Sequence, residues 1–477
     1  MQRLNLANSN LQYVFIFSGI IIGALVGYYI GLNGVSKLLI AGLLGGAYLL
    51  LTINRPWIAV SIFFALVPME TLFVLQGSVT ATLTKMAGAY LVFLVIITGS
   101  VKYLHDVFSS QKVLVMILFG GAAILSVMVS GQPSFSLSLL LTLWLSIILC
   151  FVLILMIRDT RTLYLATWAL LLGGFFSIIS PIFFQFGRAT GYDLMRYGGL
   201  WGDQNEFAAL LLVMIPLSVL NIIITRNRLY KIASIVISAT ITLGVILTYS
   251  RGAFLALCAM LILAIFKLST GKNRIKILAV SIPCMILAFA LIYHFFSEDI
   301  IARMETLKVL SSKESVVKDE SLNLRYYFYF ELTPKIFSEY PILGVGLRQI
   351  ILHNPYRFYA HNTYFEVLTG TGLVGFIPFM LILYLTWKEI KTVERFKGDN
   401  SFYLRAYASA LEIGFLGYLF TALFVSLDLN KMLWLTISIA SVLFNLYRIQ
   451  ARAEYGSDNG FGYRGRYDDR RSVYLNR

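Results

Sequence analysis

Charged side chains are scarce in this sequence. Asp, Glu, Lys and Arg make up 13% of its 477 residues, whereas hydrophobic residues make up 58%. Soluble domains carry about a quarter charged residues, so this composition indicates an integral membrane protein. The bilayer core lacks water, which restricts the spans to helices or a closed barrel. Apolar runs of about twenty residues favour helices.

Cysteine and the common cofactor motifs are also scarce or missing. Cys150, Cys258 and Cys284 lie within apolar runs without metal-ligand spacing, and we interpret them as small packing residues. No HExxH or CxxC pattern suggests a metal, and no P-loop or GxGxxG motif opens onto a cytoplasmic domain. We therefore expect no metal and no cofactor. An enzyme of this kind needs an already activated substrate that is delivered in the membrane.

The apolar runs predict an all-α polytopic membrane protein with about 12–14 transmembrane helices. The first run has full spanning length and no evident cleavage site, so we expect an uncleaved helix. Re-entrant loops are an alternative for the third and the last runs. The runs lie near 13–31, 35–53, 57–75, 84–104, 113–130, 135–157, 163–185, 205–224, 229–248, 251–268, 275–296, 363–387, 405–426 and 431–447.

The net charge of +15 follows the positive-inside rule. If the N-terminus is cytoplasmic, most Lys and Arg residues between spans fall on the cytoplasmic side, as Lys102, Arg158, Arg226 and Lys388 do. Both termini are then cytoplasmic. We expect a transmembrane domain over 1–447 with one long extracytoplasmic loop at 297–361. The basic tail at 448–477 is rich in Gly, Tyr and Arg, so we expect it to be disordered and to lie near anionic lipid.

Several arginines depart from this rule because they fall on the predicted outer side. Arg188 and Arg196 lie in the outer loop near 187–204, Arg251 joins two spans, and Arg325 and Arg348 lie in the long loop. The planar guanidinium group matches phosphate oxygens, so arginines that converge on an outer cavity would suit a lipid-linked diphosphate. The alternatives are that these arginines extend to the membrane surface or that they pair with carboxylates of the long loop, namely Glu298, Asp299, Glu305, Glu331 or Glu339.

His361 stands where this polar loop meets an apolar run. Thr363 to Glu366 has the pattern of a capping box, which predicts that a helix begins there. The dipole of that helix disfavours imidazolium, and a neutral imidazole can take a proton from a hydroxyl. An ordinary hydrogen-bonded histidine at an interface is the alternative.

Three stretches together resemble the O-antigen ligase and O-antigen polymerase superfamily of bacterial envelope glycosyltransferases. They are RYGGLWGDQNEFAALLL at 196–212, LTYSRGAFLAL at 247–257, and the segment from Arg325 through YPILGVGL to HNTYFEVLTGTGLVG. In the last, His361 and Asn362 are followed by nine residues, Gly372, two residues and Gly375, which is similar to the ligase pattern. The resemblance covers about 188–390.

The resemblance implies transfer of a glycan from an undecaprenyl-diphosphate carrier to an acceptor hydroxyl, without a metal and with inversion. It implies that His361 is the base and that Arg196, Arg251 and Arg325 bind the diphosphate. Asp203, Asn205, Asn362, Arg188 and Arg348 are expected to support the site.

Ligases and polymerases share these motifs. The sequence favours a polymerase or another capsule or exopolysaccharide transferase, because it has more apolar runs than is usual for ligases. We expect a lipid-linked glycan donor, a glycan or lipid acceptor and membrane lipids as partners, but no nucleic acid. Polysaccharide export proteins are further candidate partners.

Two other functions stay open at this point. A transporter or flippase of an anionic or lipid-linked solute would use the same outer arginines, but it should also carry ionisable residues partway through several spans. Glu70, Lys85 and Glu412 are the nearest candidates for such residues. A membrane scaffold would leave the outer arginines unexplained. Transfer at the outer face of the bacterial cytoplasmic membrane is therefore the function that we predict.

Overall fold

Every regular element in the described part of the chain is helical. The computed structural model describes Tyr48 and residues 51–70, 82–108, 110–184, 197–268, 320–398 and 401–455. Over these residues the prediction of an all-α fold is confirmed. The predicted spans near 13–31, 35–53 and 275–296 lie wholly or mainly outside the described residues, as do Arg188 and Arg196.

Fourteen α-helices are labelled here in chain order. They are α1 Pro56–Leu66, α2 Leu83–Ile97, α3 Leu104–Phe108, α4 Gln111–Val129, α5 Pro133–Met156, α6 Thr160–Phe184, α7 Gln204–Ile224, α8 Arg228–Leu247, α9 Arg251–Leu268, α10 Glu320–Tyr326, α11 Thr333–Glu339, α12 Thr363–Glu394, α13 Phe402–Thr421 and α14 Lys431–Tyr455. Short 3₁₀ turns occur at Val67–Met69, Ser100–Tyr103 and Gln349–Leu352, and a π-helical turn spans Tyr327–Leu332.

Seven of the described helices are long and apolar enough to cross a membrane, namely α4, α5, α6, α7, α8, α12 and α14. An eighth span is possible if α2 and the bent segment after it cross together. The polytopic prediction is therefore confirmed. The last helix extends to Tyr455, beyond the domain boundary predicted at 447, so the start of the predicted disordered tail is helical.

The predicted span 84–104 is not one straight helix. Helix α2 ends at Ile97, and the following segment Ser100–Phe108 is turned by 90°. Gly99 has a positive φ of 65°, which is the left-handed conformation that commonly ends a helix. The bend therefore has a local cause in the sequence.

Helix α7 is buried over most of its length. Helix α7 lies against α13 and α8, α12 lies against α4, α1 against α6, and α14 against α5. Buried aromatic rings fill the interior, and the Tyr407 hydroxyl lies 2.6 Å from the Thr167 hydroxyl. Cys150 is fully buried in this core, which confirms its interpretation as a packing residue.

The helix connections gather at two ends of the bundle. The first, here named the His361 end, contains residues 130–132, 197–203, 248–250, 340–362 and 422–430. Hydrogen bonds join its parts: Gln349 Nε2 donates to Ser130 Oγ (2.9 Å) and to Gln132 O (2.8 Å), and Tyr197 N donates to Leu247 O (3.3 Å). The second, here named the opposite end, contains residues 157–159, 225–227, 395–398 and 401.

Helix α12 is broken near the His361 end. Gly372 has φ 58° and ψ −164°, so the carbonyls of Thr369 and Gly370 cannot pair with the amides four residues later. The loop before the helix supplies the missing partners. The four hydrogen bonds are Val345 N to Thr369 O (2.9 Å), Gly346 N to Gly370 O (2.9 Å), Leu373 N to Pro341 O (2.9 Å) and Val374 N to Ile342 O (3.1 Å).

This arrangement explains Gly344 of YPILGVGL and Gly372 of α12. A Cβ atom on Gly344 would lie 2.4 Å from Thr369 O, and one on Gly372 would lie 2.2 Å from Ile342 O. Within a membrane span, backbone groups that lack a helical hydrogen-bond partner are tolerated only where another part of the protein supplies the partner. The loop and the broken helix therefore form one unit, which fixes the position of the segment that leads to His361.

Candidate functional site

His361 lies between the loop and α12 in a left-handed conformation with φ 49°. A residue with a side chain adopts this conformation only where the surrounding contacts enforce it. The next residue, Asn362, is the N-cap of α12, because its Oδ1 accepts hydrogen bonds from Tyr364 N (2.9 Å) and Phe365 N (3.1 Å). The predicted capping box of Thr363 and Glu366 is therefore wrong.

Thr363 instead attaches the start of α12 to the connection between α13 and α14. Its backbone N–H donates to Ala422 O (2.8 Å), its Oγ1 donates to Val425 O (2.7 Å), and the same Oγ1 accepts from Leu427 N (2.8 Å). These bonds hold residues 422–427 beside the His361 segment.

Glu366 holds the residue just before His361. Its side chain is buried, and Oε2 accepts hydrogen bonds from Ala360 N (3.0 Å) and Ser426 Oγ (3.1 Å). A buried carboxylate that accepts such bonds restrains its donors strongly. Glu366 thus contributes to the unusual backbone conformation of His361, a role that the sequence pattern did not indicate.

Arg348 forms the centre of a buried charged group. Its Nη2 donates to Asp428 Oδ1 (2.7 Å) and to Ser426 O (3.1 Å), and its guanidinium carbon lies 5.0 Å from the centre of the Tyr359 ring. Burial alone would lower the pKa of Arg348, but the carboxylates of Asp428, Glu366 and Glu206 more than offset it and raise the pKa. The ion-pair partner is Asp428, not one of the loop carboxylates that the sequence suggested.

Asp203 and Glu206 bring the start of α7 to the same place. Asp203 Oδ1 caps α7 by accepting from Asn205 N and Glu206 N, each at 2.8 Å. Glu206 Oε2 accepts from Trp201 Nε1 (3.0 Å) and from Asn430 Nδ2 (3.0 Å). Residues far apart in the sequence therefore converge at the His361 end.

The charges around His361 favour its neutral form. Burial is the main cause of a lowered pKa for this imidazole, and the positive charges of Arg325 and Arg348 lower it further. The negative charge of the Asp203 carboxylate raises the pKa of the imidazole, but its effect is smaller than that of burial. The structure thus places Arg325, Arg348 and Asp203 within electrostatic range of His361, and His361 can accept a proton at neutral pH.

Tyr329 is a neighbour that sequence reasoning missed. It lies in the π-helical turn after Arg325, and its hydroxyl donates to Leu423 O (2.5 Å) with a longer contact to His361 O (3.5 Å). Burial raises the pKa of this hydroxyl. The signal available in the sequence was the aromatic run YYFYF after Arg325. Most of this run lies in the π-helical turn, and such turns are frequent at functional sites.

Arg251 begins α9 at the same end of the bundle. It lies two residues after Tyr249, which has a φ of 50°, and directly before Gly252. A Cβ atom on Gly252 would lie 3.0 Å from the Phe424 side chain, so this glycine lets α9 approach the connection between α13 and α14. That close approach accounts for the glycine of the Ser-Arg-Gly element.

The predicted site residues therefore fall into three groups. His361, Asn362, Arg325, Arg348 and Asp203 come together, and Arg251 and Asn205 lie at the same end of the bundle. Arg188 and Arg196 lie outside the described residues. The carboxylates of Glu206, Glu366 and Asp428 were not predicted as site residues. Glu366 was interpreted as a helix cap, and the partners that bring all three to this end are distant in the sequence. Among the described residues no group of His, Cys, Asp and Glu is placed to hold a metal ion.

Comparison with known families identifies part of the chain. Residues 233–380 match the family model described as O-antigen ligase. This segment contains Arg251, Arg325, Arg348, His361 and the broken part of α12, whereas Asp203 and Asn205 precede it. A comparison with curated proteins gives no match. This protein is therefore a polytopic membrane protein in which residues 233–380 form a domain similar to the O-antigen ligase family.

Proposed function

We propose that this protein is a metal-independent, inverting glycosyltransferase that transfers or polymerises a glycan from an undecaprenyl-diphosphate carrier onto an acceptor hydroxyl. The observation that carries the proposal is the half-buried His361, whose neutral form is favoured by its surroundings and which lies within electrostatic range of two arginines. The family match supports the same class of reaction.

His361 acts as the general base in this proposal. The acceptor oxygen attacks the anomeric carbon of the donor while the imidazole takes the hydroxyl proton. The bond between the anomeric carbon and the diphosphate oxygen breaks, and its electron pair leaves with the lipid diphosphate. A single well-placed base contributes roughly 10²–10⁴-fold to the rate.

The arginines stabilise the leaving group. Fixed guanidinium groups favour the charge that develops on the diphosphate as the bond breaks. We assign this role to Arg251 and Arg325, and to Arg196 as the family resemblance suggests. Arg348 is engaged by Asp428 and Ser426 at its Nη2 atom, so we assign it a positioning role together with Asp203, Asn205, Asn362 and Arg188.

The charges of the loops between the helices indicate on which side of the membrane the reaction takes place. The excess of Lys and Arg on the cytoplasmic side predicts that both termini are cytoplasmic and that the His361 end faces outward from the bacterial cytoplasmic membrane. We propose a polymerase or another capsule or exopolysaccharide transferase ahead of a lipopolysaccharide ligase.

The test is a reaction of the purified protein with a defined lipid-linked oligosaccharide and a series of acceptors. We expect His361→Ala to lower turnover by roughly 10²–10⁴-fold and Arg251→Ala by roughly 10²–10³-fold. His353→Ala is the matched control, because His353 is an exposed histidine of the same loop, and it should keep full turnover. Glycan chain length and carrier release are the readouts.

Full turnover by folded His361→Ala and Arg251→Ala proteins would contradict the mechanism. A transporter is distinguished by uptake of solute into protein-containing liposomes that lack a glycan donor. Uptake without any transfer product would favour transport over catalysis.

A further inference from the structure

A groove on the outside of the bundle lies away from the His361 site. It runs between α2 and α5, and its walls include Gly88, Ala89 and Val92 of α2 and Leu145 and Leu149 of α5. Its cavity volume is about 60 Å³, so it is a shallow groove on the surface and not an enclosed pocket. Small residues on α2 leave room for a chain to lie against the helix.

The helices beside the groove present apolar side chains outward. Met86 and Phe93 of α2 are 54% and 51% exposed, and Leu141 of α5 is 58% exposed. In a membrane protein such exposed apolar side chains face lipid. The groove thus opens toward the hydrocarbon region.

Two lysines stand at the mouth of the groove. Lys85 lies in the first turn of α2, and Lys431 begins α14 at the same end. The Lys431 ammonium contacts the Glu70 carboxylate and donates to Thr82 Oγ1 (3.3 Å), and Lys85 is close enough to repel it. Two positive charges therefore face one negative charge.

We infer that this groove binds an anionic phospholipid of the surrounding bilayer. The phosphate sits between the ammonium groups of Lys85 and Lys431, and one acyl chain lies between α2 and α5. A phosphodiester carries one negative charge, which matches the excess positive charge at the mouth. Apolar walls below a cationic mouth fit an amphiphile, whereas a free phosphate ion would use the mouth alone.

The lining residues include none of those assigned to the proposed transfer reaction. The lipid therefore has a structural role, because it joins the peripheral helix α2 to α5 and α14. This inference does not depend on the proposed function. The bound phosphate also relieves the repulsion between the two lysines.

The test uses the full-length protein, purified in detergent and depleted of lipid. We expect native mass spectrometry to show one retained dioleoylphosphatidylglycerol, and we expect this lipid to raise the unfolding temperature more than dioleoylphosphatidylcholine does. Lys85→Gln should weaken binding by about fivefold, as expected for one lysine near a lipid phosphate. Lys102→Gln, an exposed lysine beyond the bend after α2, is the matched control and should bind normally.

A second variant tests the acyl chain separately. A Cβ on Gly88 would meet only Phe63 at 3.6 Å, so Gly88→Leu fills the groove without a backbone clash. It should abolish the preference for phosphatidylglycerol while the protein stays folded. Any of four results would overturn the inference. They are equal binding of both phospholipids, unchanged binding by Lys85→Gln and Gly88→Leu, an equal effect of inorganic phosphate, and displacement of the phospholipid by equimolar undecaprenyl phosphate.

Discussion

The two ends of the helix bundle differ in backbone conformation. All four non-glycine residues with positive φ in the described ranges, Tyr249, Arg348, Arg357 and His361, lie at the His361 end. Each left-handed residue with a side chain costs roughly 1–2 kcal/mol. The opposite end shows ordinary helix ends. Such strain persists only where the surrounding structure enforces it, and it concentrates at functional sites.

The two ends also differ in how they use buried charge. At the opposite end lysines meet carboxylates directly: Lys112 Nζ lies 2.6 Å from Glu389 Oε2, and Lys391 Nζ lies 2.9 Å from Glu394 Oε2 and 3.0 Å from Glu412 Oε1. At the His361 end Arg348 also pairs with Asp428, and Lys431 with Glu70. The carboxylates of Glu366 and Glu206 instead accept from backbone, hydroxyl, indole and amide donors. These two carboxylates, which have no counterpart among the pairs named at the opposite end, hold the segments around His361.

The largest effect on stability is expected from breaking the buried pair at the opposite end. Lys112 is 1% exposed, and Lys112→Met leaves Glu389 buried without its partner, which should cost about 3–5 kcal/mol. Thermal or denaturant unfolding of the purified protein measures this loss. The double variant Lys112→Met, Glu389→Leu should recover most of it, and turnover per folded molecule should stay unchanged. A loss of turnover per folded molecule would contradict the purely structural role that we assign to the opposite end.

Removing the carboxylate of Glu366 should affect both stability and turnover. Glu366→Ala leaves Ala360 N–H and Ser426 Oγ without their acceptor, at a cost of about 1–3 kcal/mol in the free energy of unfolding. Because Ala360 precedes His361, turnover should fall as well. Glu366→Gln keeps an acceptor oxygen and should recover most of the stability. If Glu366→Ala kept normal turnover, this carboxylate would not position His361.

Two asparagine caps compare the ends directly. Asn362 caps α12 at the His361 end, and Asn227 caps α8 at the opposite end through Leu229 N (2.9 Å) and Tyr230 N (3.5 Å). Each substitution by Ala should cost about 1 kcal/mol of stability. Only Asn362→Ala should also lower turnover, because Asn362 adjoins His361. Equal turnover of the two variants would remove the difference that we infer between the ends.

The smallest effect is a shift in the pH dependence of turnover. Because the pKa of His361 is lowered, the base stays neutral below its usual pKa of about 6.5, and the acid limb of the profile should lie below that pH. Removing the positive charge in Arg325→Gln should raise the pKa and move the limb to higher pH. Asp203→Asn should move it to lower pH. Shifts in the same direction for both variants would contradict the assignment of the limb to His361.

Much of the fold could be predicted from local sequence. Helices α4 to α8 and α12 follow apolar runs that end at polar or charged residues, and the start of α12 at Thr363 was predicted correctly. The bend at Gly99 and the break at Gly372 were harder to predict, because a glycine in a helix marks a bend only when its neighbours supply other hydrogen-bond partners. The cap of α12 was misassigned by one residue for a related reason: Thr363 bonds to the connection between α13 and α14 instead of capping its own helix.

Composition, periodicity and local spacing are enough to predict a polytopic helical membrane protein and the family-like pattern that begins at His361. Long-range packing was needed to learn that Asp203, Arg348 and Asp428 meet beside that pattern and that the loop at 341–346 completes a broken helix. The physical reason is that buried charges and unpaired backbone groups must find partners in the interior, and any part of the chain that packs nearby can supply them.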